Sequence, residues 1–258
     1  MNQRRFSNAA ATYDQHAAPQ RELADTLMRY LPTSINGSIL EVGAGTGILT
    51  EKLITHFPET PIDAIDIAEE MVEQSREKFI KQPCCQWVLA DAQTYYRDEP
   101  YALIASSAAL HWSSDLLATL NNLYSLLQPG GLFVLGIMLR GTLWELRELR
   151  RAIAPGKGGG PTLPLDEIVQ QHILTSGFSL EKAHTAERRH IYENGRAFLQ
   201  AIHDQGVTAL QQQDYPLNRS ELSALIHAYE TRHATAGGVY ATYQTGSYLL
   251  SRPESASK

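Results

Sequence analysis

Between residues 38 and 138 the chain alternates short apolar runs with stretches of helical spacing. Apolar runs at Ser38–Val42, Ile62–Ile67, Gln86–Ala90, Ala102–Ser106 and Leu132–Met138 predict buried strands. Between them, Gly47–Phe57, Glu69–Ile80 and Asp115–Leu127 predict helices. QPGG at 128–131 predicts a turn before the fifth strand. Strands alternating with helices imply right-handed crossovers and a parallel sheet. An alanine-rich helix is expected over residues 8–31, with Leu23, Leu27 and Tyr30 at helical spacing and Pro32 closing it.

The second half has a different texture. Helices are expected over 142–153, 165–176, 194–205 and 219–230, and a strand within 179–192. The glycine- and proline-rich stretch 154–164 reads as a mobile loop. VYATYQTGSYLL at 239–250 is aromatic and β-branched, which predicts a terminal strand. The expected layout is one domain: a helical cap over 1–34, a core over 35–138, an added segment over 139–235, and a terminal strand and tail over 236–258.

Composition narrows the function. With 258 residues, 43% hydrophobic, the chain can bury a real core. A net charge of −6 and no basic stripe argue against nucleic acid, and no apolar run is long enough to span a membrane. Cys84 and Cys85 are adjacent and form no disulfide framework, so a reducing, cytoplasmic compartment is expected. No metal site is expected.

ILEVGAGTGILT at 39–50 carries the chemistry. Gly43, Gly45 and Gly47 follow an apolar strand, but Ile48 stands where a dinucleotide fingerprint needs its third glycine. No Gly-Lys-Ser/Thr follows, so a P-loop is excluded too. Glu41 lies inside the first strand, Asp66 ends the second and Asp91 ends the third. In open α/β sheets ligands bind at those strand ends. Three acids there suit a ligand with a positive charge and a ribose, and repel a polyphosphate.

ILEVGAGTGILT, DAIDIAEEMV and LADAQ together resemble the successive motifs of class I S-adenosylmethionine-dependent methyltransferases. That family implies an α/β, Rossmann-like fold. Its sheet has seven strands, mostly parallel, with the last antiparallel; here an N-terminal helix and a helical insertion would be added. The resemblance implies that Glu41 and the Gly43, Ala44, Gly45 and Gly47 backbone hold the methionine end of S-adenosylmethionine. Asp66 would take the ribose hydroxyls, Ile67 and Met71 would flank the adenine, and Asp91 with Ala92 would meet its amino group.

The acceptor is read from the remaining segments. SSAALHWSSDL at 106–116 places Ser106, His111 and Trp112 past the fourth strand, where they would line an acceptor pocket. Tyr13 and His16, in the N-terminal stretch, would close the site from above. Joined with RRFSNAAATYDQHAAPQRELADTL, GTLWELREL and YATYQTGSYLL, these pieces resemble the malonyl-acyl-carrier-protein O-methyltransferases of biotin synthesis. That resemblance implies methylation of the free carboxylate of a malonyl thioester on an acyl carrier protein. A carboxylate is already nucleophilic, so no catalytic base is strictly required; alignment and exclusion of water suffice. Arg140, directly after the fifth strand, is the arginine expected nearest the crevice to hold the second carboxylate oxygen. Arg147, Arg150, Arg151 and Lys157 form a basic patch that could dock an acidic carrier, set against pairing of these arginines with Glu145 and Glu148. A methyltransferase for a free small di- or tricarboxylic acid, and a binding protein without turnover, are the competing readings.

Overall fold

The computed structural model describes residues 16–157, 162–205 and 216–254. Strands β1 (Ile39–Val42), β2 (Ile62–Asp66), β3 (Cys85–Leu89), β4 (Tyr101–Ser107) and β5 (Leu127–Met138) alternate with helices α2 (Ile48–His56), α3 (Glu69–Lys78) and α4 (Leu116–Leu126). Helix α1 (Ala18–Met28) precedes them. After β5 come α5 (Trp144–Ile153), α6 (Asp166–Thr175), β6 (Ser179–Tyr192), α7 (Gly195–Asp204), α8 (Arg219–Arg232), β7 (Ala234–Thr235) and β8 (Gly238–Ser251). The strand order is β3-β2-β1-β4-β5-β8-β6, with β7 paired to β8. Strands β1 to β5 pair in parallel; β8 runs antiparallel to both β5 and β6.

The seven expected strands are present, and the eighth, β7, is a two-residue hairpin partner that no periodicity could announce. The added segment 139–235 supplies β6 to the main sheet rather than lying wholly outside it. The expected turn at 128–131 is instead absorbed into β5. Gly130 takes φ +75, and the β4–β5 register shifts between Tyr101 and Leu103, so the glycines form a bulge in a continuous strand. Of the helix expected over 8–31, residues 18–28 are helical as described.

Alternation along β1 divides the core. Leu40 and Val42 face one layer with Phe133, Leu123 of α4 and Ile173 of α6. Ile39 and Glu41 face the other, where Ile39 packs with Leu27 of α1 and Leu53 of α2. Complete burial of one such leucine contributes about 2 kcal/mol. A third cluster, with Leu149, Phe198, Leu225, Tyr229 and Tyr243, binds α5, α7 and α8 to β8. Local signals start the helices: Asp115 Oδ1 accepts from Ala118 N at 2.9 Å, and Asn218 with Glu221 forms a capping box at α8.

Candidate active site

The glycine loop leaves β1 and enters α2 through three left-handed residues, Gly43 (φ +71), Gly45 (φ +55) and Gly47 (φ +83). Each glycine has its own reason. A Cβ on Gly43 would sit 2.1 Å from the Ala109 Cβ, and one on Gly47 would sit 2.3 Å from the Phe79 ring. A Cβ on Gly45 would meet nothing within 4 Å, because that position opens onto a cavity. Gly47 does not line the cavity, so its expected role in ligand contact gives way to helix packing against Phe79.

The N–H groups of the loop are spent internally. Those of Gly43 and Ala44 donate to Ile65 O, Gly47 N–H donates to Ala44 O, and Gly45 N–H donates to Asp66 Oδ2 at 2.8 Å. The sequence suggested that these amides reach toward the ligand; the structure corrects that. With these four donors committed the loop is a poor cradle for an anion, so a phosphate is disfavoured by geometry as well as by charge.

The acids surround a cavity of about 590 Å³ at the carboxyl ends of the strands, a size suited to a small ligand or cofactor. Glu41, Gly43, Ala44, Gly45, Asp66 and Asp91 line it, and so do Ile67, Met71, Ala92 and Trp112. Glu41 is 1% exposed, and its register neighbours on β2 and β4 are Ala64 and Ala105, whose small side chains leave it room. Its Oε2 has no partner among the described residues. Burial pushes its carboxyl from the ordinary 4.5 up to about 8, and the nearby Asp66 adds to the rise. Asp66 is held rigidly: Oδ2 accepts from Gly45 N–H, and Oδ1 accepts from Ala68 N–H at 2.9 Å. Burial raises its pKa too, against the pull of those amides. Asp91 Oδ1 accepts from Gln93 N–H at 2.9 Å, which leaves its other oxygen open to a ligand. At Glu41, hydrogen bonding from Thr50 only partly offsets the rise, and the unpartnered Oε2 costs free energy that a cationic ligand with N–H donors would recover. The donor set therefore fits a sulfonium amino acid joined to a nucleoside.

On the acceptor side, the structure keeps Trp112 and moves the other candidates. Ser106 is fully buried and donates from Oγ to Val42 O at 2.9 Å, tying β4 to β1 instead of lining the cavity. Its neighbours Ser107 and Ala108 take that place. Ala108, at φ +53, is a strained non-glycine residue that turns the chain into the one-turn helix Leu110–Trp112. His111 lies behind the wall, its ring 4.9 Å from that of Trp112 and its Nδ1 unpartnered among the described residues. Burial depresses its pKa to about 3, so the ring is neutral at working pH. His16 turns away, toward Asp204 at 3.7 Å. Arg140 is exposed, with its N–H on Pro164 O, and does not line the cavity. Tyr13 lies outside the described residues.

Gln20 was missed. It is buried in α1, lines the cavity, and donates from Nε2 to Gln205 Oε1 at 3.2 Å, while its own Oε1 is unpartnered among the described residues. The signal was present: an amide on the same helical stripe as Leu23, Ala24 and Leu27.

The basic patch on α5 is largely self-satisfied. Arg147 is half-buried and donates to the carbonyls of Thr142 and Arg140. Lys157 Nζ lies 2.6 Å from Glu221 Oε2, and Arg150 donates to Lys157 O at 3.3 Å. Glu145 is no partner for these arginines: it is fully buried, where Thr242 donates to it from N and Oγ1. Among the described residues no cluster of three or more His, Cys, Asp or Glu could hold a metal ion. No described helix is long and apolar enough to cross a membrane.

Comparison with known proteins agrees with this geometry. The family model of a methyltransferase domain matches residues 39–131. Malonyl-[acyl-carrier protein] O-methyltransferase 1 of Ilyobacter polytropus is 33% identical over 229 residues, covering 88% of this chain and 85% of that protein. The fold is that of a Bacillus halodurans protein described as a methyltransferase, with TM-score 0.66, 14% identity, and coverage of 89% of this chain and 98% of that one. It is also that of the N-methyltransferase NodS from Bradyrhizobium japonicum, solved with S-adenosyl-L-homocysteine, with TM-score 0.54, 15% identity, and coverage of 96% and 100%.

Proposed function

Because this chain belongs to the malonyl-[acyl-carrier protein] O-methyltransferases, which use S-adenosylmethionine, we propose that it methylates the free carboxylate of a malonyl group borne by an acyl carrier protein. The observation that carries the reading is the single cavity in which Glu41, Asp66 and Asp91 converge while the glycine-loop amides are already committed. Such a site attracts a cation, and the committed amides of Gly43, Ala44, Gly45 and Gly47 are not available to a phosphate.

When bound, S-adenosylmethionine supplies an electrophilic methyl group on a cationic sulfur. Glu41 would hold the ammonium of its methionine end as the carboxylate, releasing its proton to solvent. Asp66, fixed by two amides, keeps a lone pair on each oxygen for the ribose hydroxyls. Asp91 accepts from the adenine amino group, with Ile67 and Met71 as the apolar flank. Trp112 lines the cavity, where an aromatic face beside the sulfonium would contribute about 0.5–2 kcal/mol. The malonyl carboxylate oxygen would bond to the methyl carbon as the anion while the S–CH3 bond breaks and S-adenosylhomocysteine leaves as a neutral thioether, so the chain has no proton to remove. Neutral His111 needs no role as a base. Rate then comes from alignment and exclusion of water. The product ester hides a charge, which lets machinery built for apolar acyl chains accept it in an early step of biotin synthesis.

The test is mass spectrometry of malonyl-carrier incubated with isotopically labelled S-adenosylmethionine. One added methyl group on the malonyl carboxylate is expected. Equal labelling of acetyl-carrier would exclude carboxyl methylation, and labelling of free malonate alone would reassign the acceptor to a small diacid.

A further inference from the structure

Away from the main cavity, a groove of about 250 Å³ runs between α1 and the sheet edge formed by β6 and β8. Glu22, Arg29, Tyr30, His184, Arg188 and His190 are among its lining residues. Strand β6 is the terminal strand of the sheet, and every second residue faces α1. That row reads Lys182, His184, Ala186, Arg188, His190. The opposite row alternates sign instead, with Glu187 followed by Arg189.

Among the described residues that line the groove, Glu22 is the single carboxylate. It is divided between Arg188 Nε at 3.4 Å and His190 Nε2 at 3.7 Å. Arg29 has no ion-pair partner among the described residues, and Lys182 lies over the Tyr30 ring at 5.7 Å without a carboxylate. Among the described residues two arginines and a lysine thus face one acid, on a chain whose net charge is −6. Charges on an edge strand keep it from pairing with other strands, but either sign serves that purpose. A one-sign row opposite a helix concentrates positive potential, which steers an anionic partner.

Position identifies the partner. Pro19 lines the groove, while its neighbour Gln20 lines the main cavity, so the groove reaches the wall of the active site at the first turn of α1. We propose that this groove, with Arg29, Lys182 and Arg188 as its charges, docks the acidic surface of the malonyl-bearing carrier protein. The patch on α5 is the weaker competitor, since Lys157 is neutralised by Glu221 and Arg147 is committed to backbone carbonyls. This inference rests on the function proposed above.

The test compares steady-state methylation of malonyl-carrier and of malonyl-pantetheine, which has neither protein nor phosphate. The enzymes are the wild type, the double variant Arg29→Glu with Arg188→Glu, and the double variant Arg150→Glu with Arg151→Glu. The groove variant is expected to raise KM for malonyl-carrier about tenfold with kcat unchanged, and to leave malonyl-pantetheine unaffected. The wild-type KM for malonyl-carrier should also rise with salt. If Arg188→Glu lowers the melting temperature, Arg29→Glu alone carries the same carrier-specific expectation. An unchanged KM, an equal rise for both substrates, or a carrier-specific rise only in the α5 variant overturns the docking assignment. A wild type that methylates neither malonyl substrate overturns the proposed function itself, and the docking assignment with it.

Discussion

Glu41→Gln removes an ionisable proton while keeping the shape of a side chain that is 1% exposed. In the folded, ligand-free chain burial keeps Glu41 protonated up to about pH 8; in the unfolded chain the proton leaves near 4.5. Between those values the unfolded state binds fewer protons, so rising pH erodes stability, by up to about 5 kcal/mol at the top of the window. The glutamine variant escapes that loss. Urea unfolding should show it gaining on the wild type by a few kcal/mol near pH 8 and converging with it near pH 5. A cationic ligand reverses the balance, because the carboxylate becomes the favoured form. Affinity for S-adenosylmethionine should therefore rise about tenfold per pH unit between roughly pH 6 and 7.5. Calorimetry in buffers of different ionisation enthalpy should report about one more proton released by the wild type than by Glu41→Gln. Asp66, raised in the same direction, contributes to both proteins and cancels in the comparison. Equal proton release from both, with pH-independent affinity, would refute the assignment of Glu41 as the buried acceptor.

Two further substitutions separate scaffold from site. Gly43→Ala drives a Cβ to 2.1 Å from Ala109 and strains φ +71, which should cost roughly 2–4 kcal/mol in a thermal melt. Gly45→Ala meets no atom within 4 Å, so only about 1 kcal/mol of backbone strain is expected, yet the methyl enters the cavity and calorimetry should show weakened S-adenosylmethionine binding. Tyr101→Phe removes the hydroxyl that donates to Asp63 Oδ2 at 2.5 Å, at the opposite end of β4 from the cavity. It should cost about 1–3 kcal/mol of stability and leave ligand affinity unchanged.

The core was legible because its period was clean. The strands of the first half and the helices between them fall within two residues of their expected bounds, with β5 the exception, and the acids at the ends of β1, β2 and β3 do converge. Their convergence follows from parallel topology alone, which puts the three carboxyl ends on one rim. The acceptor side was not legible in the same way. Ser106 and Ser107 are adjacent in a strand, so a one-residue error in phase exchanges a wall of the cavity for a hydrogen bond to Val42. Glu145 sits on a helix face shared with arginines in the sequence, but tertiary packing claims it for Thr242, 97 residues away. The basic run at 147–157 reads as a patch until Glu221, remote in sequence, folds onto Lys157. Long-range polar pairing of this kind has no periodic signature.

The position of β8 has a consequence for how the molecule is made. The sheet places residues 238–251 between β5 and β6, pairing with both. Until that segment leaves the ribosome, β5 and β6 have no strand to join them, and each presents a raw hydrogen-bonding edge. From the completion of β5, and then of β6, until β8 is made, the nascent chain therefore carries these two unpaired margins, and one late insertion joins them. A chain interrupted before residue 238 would forfeit the link between the cofactor half and the lobe that follows it, and the exposed margins would favour aggregation over activity.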